Sequence, residues 1–187
     1  SRRAQLTCPV EAGFTGYNHM PTTLGTYLSQ ASARLQPVSD TPRLDAQVLA
    51  AEVLGVTRTW VLAHPEADLA PVTLAALDTG LQRLASGEPL PYVLGHWEFY
   101  NLDFKVGPAV LIPRPETELL VDHALAWLET QDRPCWGVDT GTGSGCIAIS
   151  LAVHQTKLHM LASDISLEAL RLASHNAARH NVAGRVH

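Results

Sequence analysis

The sequence is poor in cysteine. Cys8, Cys135 and Cys146 lie far apart and no Cys-x-x-Cys occurs. That excludes a disulfide framework and a cysteine-based zinc site, and it suits a reducing cytoplasm. The sequence also lacks any apolar run approaching the roughly 18 residues of a membrane span. Its first residues, SRRAQLTCPVEAGFTGYNH, have no continuous apolar core of the kind a secretory signal needs. Positive charge is scarce: 13 Lys and Arg against 18 Asp and Glu leave a net charge of -5. Broad binding to nucleic acid needs clustered Lys and Arg, so direct nucleic-acid recognition is not expected. The nine histidines do not make a metal site either. His154 and His159 flank a helix–strand turn, and His175 and His180 miss the i, i+4 spacing of a helical zinc pair. His96 reads as a surface residue of a linker.

What is present suits a globular protein. At 187 residues, 46% hydrophobic and 17% charged, the chain is long enough for one large domain or two small ones. Residues 1–19 are expected to be a disordered extension or tag, with Met20 a candidate native start. Residues 20–91 read as a small helical bundle. In TTLGTYLSQASARL, Leu24, Tyr27, Leu28 and Leu35 recur near the helical period. In TPRLDAQVLAAEVLGV, Thr41 is the candidate N-cap, Pro42 takes the first helical position and Gly55 the stop. Leu44, Val48, Leu49 and Val53 are expected to form its buried stripe. A short helix over TRTWVLAH and an amphipathic one over APVTLAALDTGLQRLASGEP complete the bundle, whose polar positions show no catalytic spacing.

The character changes at Tyr92. Residues 92–114 read as a β-hairpin linker, with alternation in WEFYNLDFKV around Asn101. Pro113 and Pro115 then make a stiff extended link. Glu116 and Glu118 fall in the first turn of the next helix, where the helix dipole favours anions. That capping role outweighs an acid/base pair, although Arg114 or Glu116 would also suit positioning a cofactor. Trp97, Phe99 and Tyr100 read first as hairpin core and second as the flank of a cleft.

Residues 115–187 carry an alternating pattern. WGVD reads as a strand, GCIAISLAVH as a helix, KLHMLASD as a second strand and SLEALRLASHNAARHN as a second helix. Ser166 caps the second helix, with Leu167, Leu170, Ala173 and Ala177 along one face. GRVH reads as the start of a third strand. Such alternation implies an α/β fold with a parallel sheet and ligand binding at the carboxyl ends of the strands. Two β–α units do not cover a doubly wound sheet, so the chain is expected to be the N-terminal part of a longer one.

The first strand runs into VDTGTGSGCIAISLAVH, where Gly141, Gly143 and Gly145 alternate. A dinucleotide fingerprint needs a third glycine where Cys146 stands, and a P-loop needs a Lys after the glycines. What remains is Asp-x-Gly-x-Gly-x-Gly, with Asp139 ending the strand and Asp164 ending the next. A carboxylate there accepts hydrogen bonds from both ribose hydroxyls and repels a 2′-phosphate. Glycines let a ligand lie against the main chain. The combination suits S-adenosylmethionine better than NAD; the plain alternative is a tight turn with no ligand. Cys146 opens the helix, where a thiol can acidify, but packing is its expected role.

Several segments together resemble the bacterial HemK/PrmC family. They are RLDAQVLAAEVLG (43–55), GEPLPYVLGHWEFYNLDFKV (87–106), LIPRPETELLV (111–121), VDTGTGSGCIAISLA (138–152) and SDISLEALRLASHNAARH (163–180). LIPRPETE is the most specific of them. Members are class I, S-adenosylmethionine-dependent methyltransferases that modify the glutamine of the Gly-Gly-Gln motif of class 1 peptide chain release factors. The resemblance implies a helical domain, a hairpin linker and a Rossmann-like methyltransferase sheet, of which only the N-terminal part is present here. It implies cofactor contacts at Gly141, Thr142, Gly143, Ser144 and Gly145. Asp164 would hold the ribose, with Asp139 near the methionine end or supporting the loop. Thr140 and Pro91 depart from the family pattern without breaking the site. The family's Asn-Pro-Pro-Tyr motif is not in these 187 residues, so no catalytic residue is assigned and this polypeptide alone is expected to be inactive. A ribosomal-protein glutamine or adenine-N6 methyltransferase, a non-catalytic cofactor-binding module and an NAD oxidoreductase are the alternatives.

Overall fold

A computed structural model describes residues 22–187. The expected extension 1–19, the candidate start Met20 and Cys8 lie outside the described residues. Among the described residues, no helix is long and apolar enough to cross a membrane.

The first body is all helix: α1 (Leu24–Leu35), α2 (Pro42–Leu54), α3 (Arg58–Ala63), α4 (Pro71–Ala85) and α5 (Leu90–Leu94). Thr23 caps α1 by accepting from the Thr26 N–H, and Thr57 caps α3 by accepting from that of Trp60. Thr41 takes the cap position of α2 but makes no cap bond; its hydroxyl donates to Asp45 instead. The buried side of α2 is also not the expected stripe. Ala46, Leu49, Ala50 and Ala51 are buried, Leu44 is exposed, and Val48 and Val53 are half-buried. The reason is close packing: α2 lies against α1, α3 and α4, and small residues allow that approach. Leu49 presses on α4 where a Cβ on Gly80 would stand 2.6 Å from its Cδ1. The short helix α5, unread in the sequence, ends at Gly95 in the left-handed conformation and leads straight into the hairpin.

Strands β1 (His96–Phe99) and β2 (Leu102–Lys105) pair antiparallel with Phe99 opposite Leu102. Both turn residues, Tyr100 and Asn101, have positive φ (53° and 57°), the geometry that matches strand twist in a two-residue hairpin. Asn tolerates this conformation; Tyr does so only at a cost. Two bonds hold Tyr100 there: its N–H donates to Glu118 (2.8 Å) and its hydroxyl to Asp122 (2.6 Å). The hairpin is not a bare tether. Phe99 and Phe104 are fully buried, edge to face at 6.2 Å, in one core with Val121, Ile149 and Leu158. Each such side chain contributes about 1.5–3 kcal/mol by leaving water.

After a one-turn 3-10 helix (Pro115–Thr117), α6 (Glu118–Glu129) leads to β3 (Cys135–Thr140), α7 (Cys146–His154), β4 (Leu158–Ser163) and α8 (Leu167–Arg179). Glu116 sits in the 3-10 turn and Glu118 opens α6. Strands β3 and β4 pair in parallel, with Asp139 opposite Ala162. The free edge of β4 takes Arg185–His187: Met160 donates to Arg185 O, and Ala162 to His187 O. The expected third-strand start is therefore in place beside β4. Helix α7 packs on both strands and on α6 and α8, while Trp136, Val138 and Leu161 on the opposite face stay exposed. On α8, Ser166 caps as expected by accepting from Ala169 N–H. Its buried face is Ala169, Ala173, Asn176 and Ala177; Leu167 is 61% exposed, so the face is rotated from the expected one.

His96 is not a plain surface residue. Its ring nitrogens meet Asp103 at 2.6 Å and Glu52 of α2 at 3.2 Å, and Asp103 pairs in turn with Arg179 of α8. Partial burial works against its protonation, but the bonds to Asp103 and Glu52, and their charge, win and raise its pKa. A histidine raised on folding adds stability below its unfolded pKa and loses it as pH climbs through the folded one. Thermal melts from about pH 6 to about pH 8.5 should show the wild-type Tm falling relative to His96→Gln as pH rises. Parallel curves would show that the bridge contributes nothing. Gly145, at φ 81°, leaves no room for a Cβ, which would stand 2.7 Å from Ile149 Cδ1 and 3.2 Å from Ala173 Cβ. Gly145→Ala should cost about 2–4 kcal/mol in urea unfolding, more than Gly141→Ala, whose Cβ meets open space.

Candidate functional site

The site lies at the carboxyl ends of β3 and β4. There the chain leaves β3 through Asp139 and Thr140 and turns through Gly141–Gly145 into α7. All three glycines are left-handed, with φ of 74°, 57° and 81°, which explains why glycine stands at each. The turn is tied to the neighbouring strand: the N–H groups of Gly141 and Thr142 both donate to Ser163 O, at 2.7 and 2.9 Å. Gly145 N–H closes on Thr142 O at 2.8 Å. Gly143 N–H donates to Asp164 Oδ2 at 2.9 Å.

These bonds bear on the ligand. A phosphate cradle presents several free N–H groups converging on one anion. Here Gly141, Thr142, Gly143 and Gly145 each use theirs within the protein. Two carboxylates flank the turn instead. Asp139 accepts from the Thr142 hydroxyl at 2.7 Å. Asp164 accepts from Gly143 N–H and, through Oδ1, from Ser166 N–H at 2.9 Å. Those donors, Ser166 first and Gly143 second, hold the Asp164 carboxyl below its usual pKa, so it is ionised near neutral pH. Each oxygen of Asp164 keeps a lone pair, since a carboxylate oxygen accepts two bonds. A Cβ built on Gly141 meets nothing within 4 Å, and one on Gly143 only Val110 at 4.0 Å. The ledge is thus open and carboxylate-flanked, with four of its N–H groups already taken, which fits a neutral or cationic nucleoside better than a pyrophosphate.

All seven residues expected at the site are brought together around this turn, with unequal surroundings. Gly141 is exposed, Asp139, Gly143 and Asp164 are half-buried, and Thr142, Ser144 and Gly145 are buried. Thr142 and Ser144 therefore present backbone more than side chain to a ligand. Burial pushes the Cys146 thiol up, outweighing the bonds that would lower it, in keeping with a packing role. Among the described residues no cluster of His, Cys, Asp and Glu is arranged to hold a metal ion. A cleft between α1, α2 and α3, lined by Ser29, Ser32, Arg43 and Val61, lies apart from the turn and gathers no reactive group.

Sequence reasoning missed two contributors. Ser163 supplies the carbonyl that accepts twice from the turn. Asn176, completely buried on α8, donates to Ser144 O at 2.9 Å. The available signal for Asn176 was a polar residue on a face otherwise made of alanines.

Comparison with known proteins bears on both bodies. A family model described as PrmC N-terminal domain matches residues 26–95, and one described as Methyltransferase small domain matches residues 116–187. A release factor glutamine methyltransferase of Nitratidesulfovibrio vulgaris is 42% identical over 165 residues, 88% of this chain and 55% of that protein. The enzymes of that name from Moorella thermoacetica and Escherichia coli are 43% and 41% identical, over 88% and 86% of this chain and 58% and 57% of theirs. The chain spans a little over half the length of these curated relatives. With the helical bundle and the start of the α/β sheet both matched, the chain is similar in both bodies to the PrmC/HemK release factor glutamine methyltransferases.

Proposed function

We propose that the turn after β3 holds S-adenosylmethionine and that the whole protein methylates the N5 amide nitrogen of the Gly-Gly-Gln glutamine in class 1 peptide chain release factors. The observation that carries the substrate is the similarity to release factor glutamine methyltransferases across both bodies. The donor is supported separately, by a turn in which Gly141, Thr142, Gly143 and Gly145 use their N–H groups within the protein and whose flanks are carboxylates. This reading implies a cytoplasmic protein, because its substrate acts in translation.

When bound, S-adenosylmethionine supplies a methyl group made electrophilic by its sulfonium. Asp164 is the residue for the ribose: ionised and fixed by two backbone donors, it has lone pairs left for the two hydroxyls. Asp139, pinned by Thr142, adds negative charge beside the turn and favours a cationic ligand over an anionic one. Gly141 and Gly143 keep side chains out of the space the ligand needs. A glutamine amide nitrogen is a weak nucleophile because its lone pair is delocalised into the carbonyl. The protein's task is then to hold that nitrogen in line with the methyl carbon, and orientation of this kind lowers a barrier by several kcal/mol. In the family this falls to Asn-Pro-Pro-Tyr, which is not among these 187 residues. We therefore assign these residues to the donor, and expect no transfer from the 187-residue polypeptide alone.

Calorimetry of the full-length protein should show S-adenosylhomocysteine binding and no NADH binding. Asp164→Ala should weaken the former about 10- to 100-fold; NADH binding with an unaffected Asp164→Ala would overturn the donor reading. With labelled S-adenosylmethionine and a release factor, the full-length protein should transfer methyl to the Gly-Gly-Gln glutamine and the 187-residue chain should not. Label on another residue, or robust transfer by the short chain, would contradict the corresponding part of the proposal.

A further inference from the structure

Asn176 makes more bonds than packing requires. It is fully buried on α8, on a face where its neighbours Ala169, Ala173 and Ala177 show that small apolar residues suffice. A carboxamide in such a place costs free energy unless its groups are paired. Here they are: Oδ1 accepts from Lys105 N–H at 2.9 Å, and Nδ2 donates to Lys105 O at 3.0 Å and to Ser144 O at 2.9 Å. The amide therefore pairs with the edge of β2 as another peptide would, and uses its remaining hydrogen on the middle of the glycine turn.

Ser144 is where such a contact matters. It lies between Gly143 and Gly145, both left-handed, and glycine imposes little preference of its own on the peptide planes beside it. Its buried hydroxyl has no partner except the neighbouring Cys146 thiol, a weak one, so the side chain does little to fix the plane. The carbonyl bond to Asn176 does. One residue before, Gly143 N–H reaches Asp164; the orientation of this short stretch and the position of that carboxylate are set together. The same α8 face grips β2 twice more, through Arg179 on the Asp103 carboxylate and His180 on the Asp103 carbonyl.

We propose that Asn176 is a positioning residue for the donor site, its carboxamide locking the Ser144 peptide, and with it the Asp164-bound turn, to the β-hairpin. The inference rests on the reading of this turn as the S-adenosylmethionine site. It makes the hairpin part of the machinery that shapes the donor pocket.

The test uses the full-length protein and S-adenosylhomocysteine. Asn176→Asp keeps the volume and the acceptor for Lys105 N–H but removes both N–H donors and sets a carboxylate against two carbonyls. At a temperature where circular dichroism shows the variant folded, its Kd should rise about tenfold or more. Leu77→Ala, in the helical-bundle core, should lower Tm and leave Kd unchanged, which separates positioning from general loss of stability. If Asn176→Asp does not fold, amide exchange in the wild type decides: ligand saturation should slow exchange at Lys105 as well as at Gly143. An unchanged Kd in folded Asn176→Asp, or protection at Gly143 without any at Lys105, overturns the inference while leaving the donor reading intact. Failure of the wild type to bind overturns the donor reading itself, and the inference with it.

Discussion

The Asp164 carboxylate is the contact on which the site's shape depends. It stands just past the end of β4 and accepts from a backbone N–H on its own chain segment and from another on the glycine turn of the neighbouring strand. One side chain thus closes the turn after β3 against the start of α8. Because β3 and β4 are paired in parallel register, both turns emerge at the same end of the sheet, and this bridge needs no long side chain. The donors that lower its pKa also keep it charged, so a single arrangement serves the fold and the proposed ligand. Four N–H groups of the turn are held from inside the protein, which adds to the missing third glycine as a physical argument against a dinucleotide.

The second constraint is mechanical. The hairpin shares a core with the α/β body through Phe99 and Phe104, is gripped by α8 at Asp103 and Lys105, and touches the helical bundle through His96 and Glu52. A continuous set of polar contacts therefore runs from α2, through the hairpin, to the turn. Such a chain is a route for coupling only if its members have two arrangements that both ends can bias.

The parts of this architecture carried by local chemistry were legible in the sequence. Three glycines after an apolar strand, an Asp at the end of each strand, a Ser before α8 and a helix stop at Gly55 declare themselves through the conformations only those residues favour. Asn101 marked the hairpin for the same reason, although the unfavourable conformation of Tyr100 beside it depends on Glu118 and Asp122, 18 and 22 residues away. Periodicity performed less well on helix faces. It weighted Leu44 and Leu167, which are exposed, above Ala46 and Ala169, which are buried, because close helix packing selects small residues that apolar patterns do not distinguish. The partners of His96 and Asn176 were illegible for a deeper reason. They are brought close only by the tertiary fold; for Asn176 the partner is 71 residues distant.

The central claim is that the turn at Gly141–Gly145 and Asp164 together hold the methyl donor. A titration of 15N-labelled full-length protein with S-adenosylhomocysteine tests it most directly. The account predicts that the largest amide shifts fall on Gly141, Gly143 and Ser166, at the turn and at the donors to Asp164, and that Asp164→Asn diminishes them. Saturable binding with those amides silent and the shifts centred elsewhere, as in the cleft between α1, α2 and α3, would contradict it.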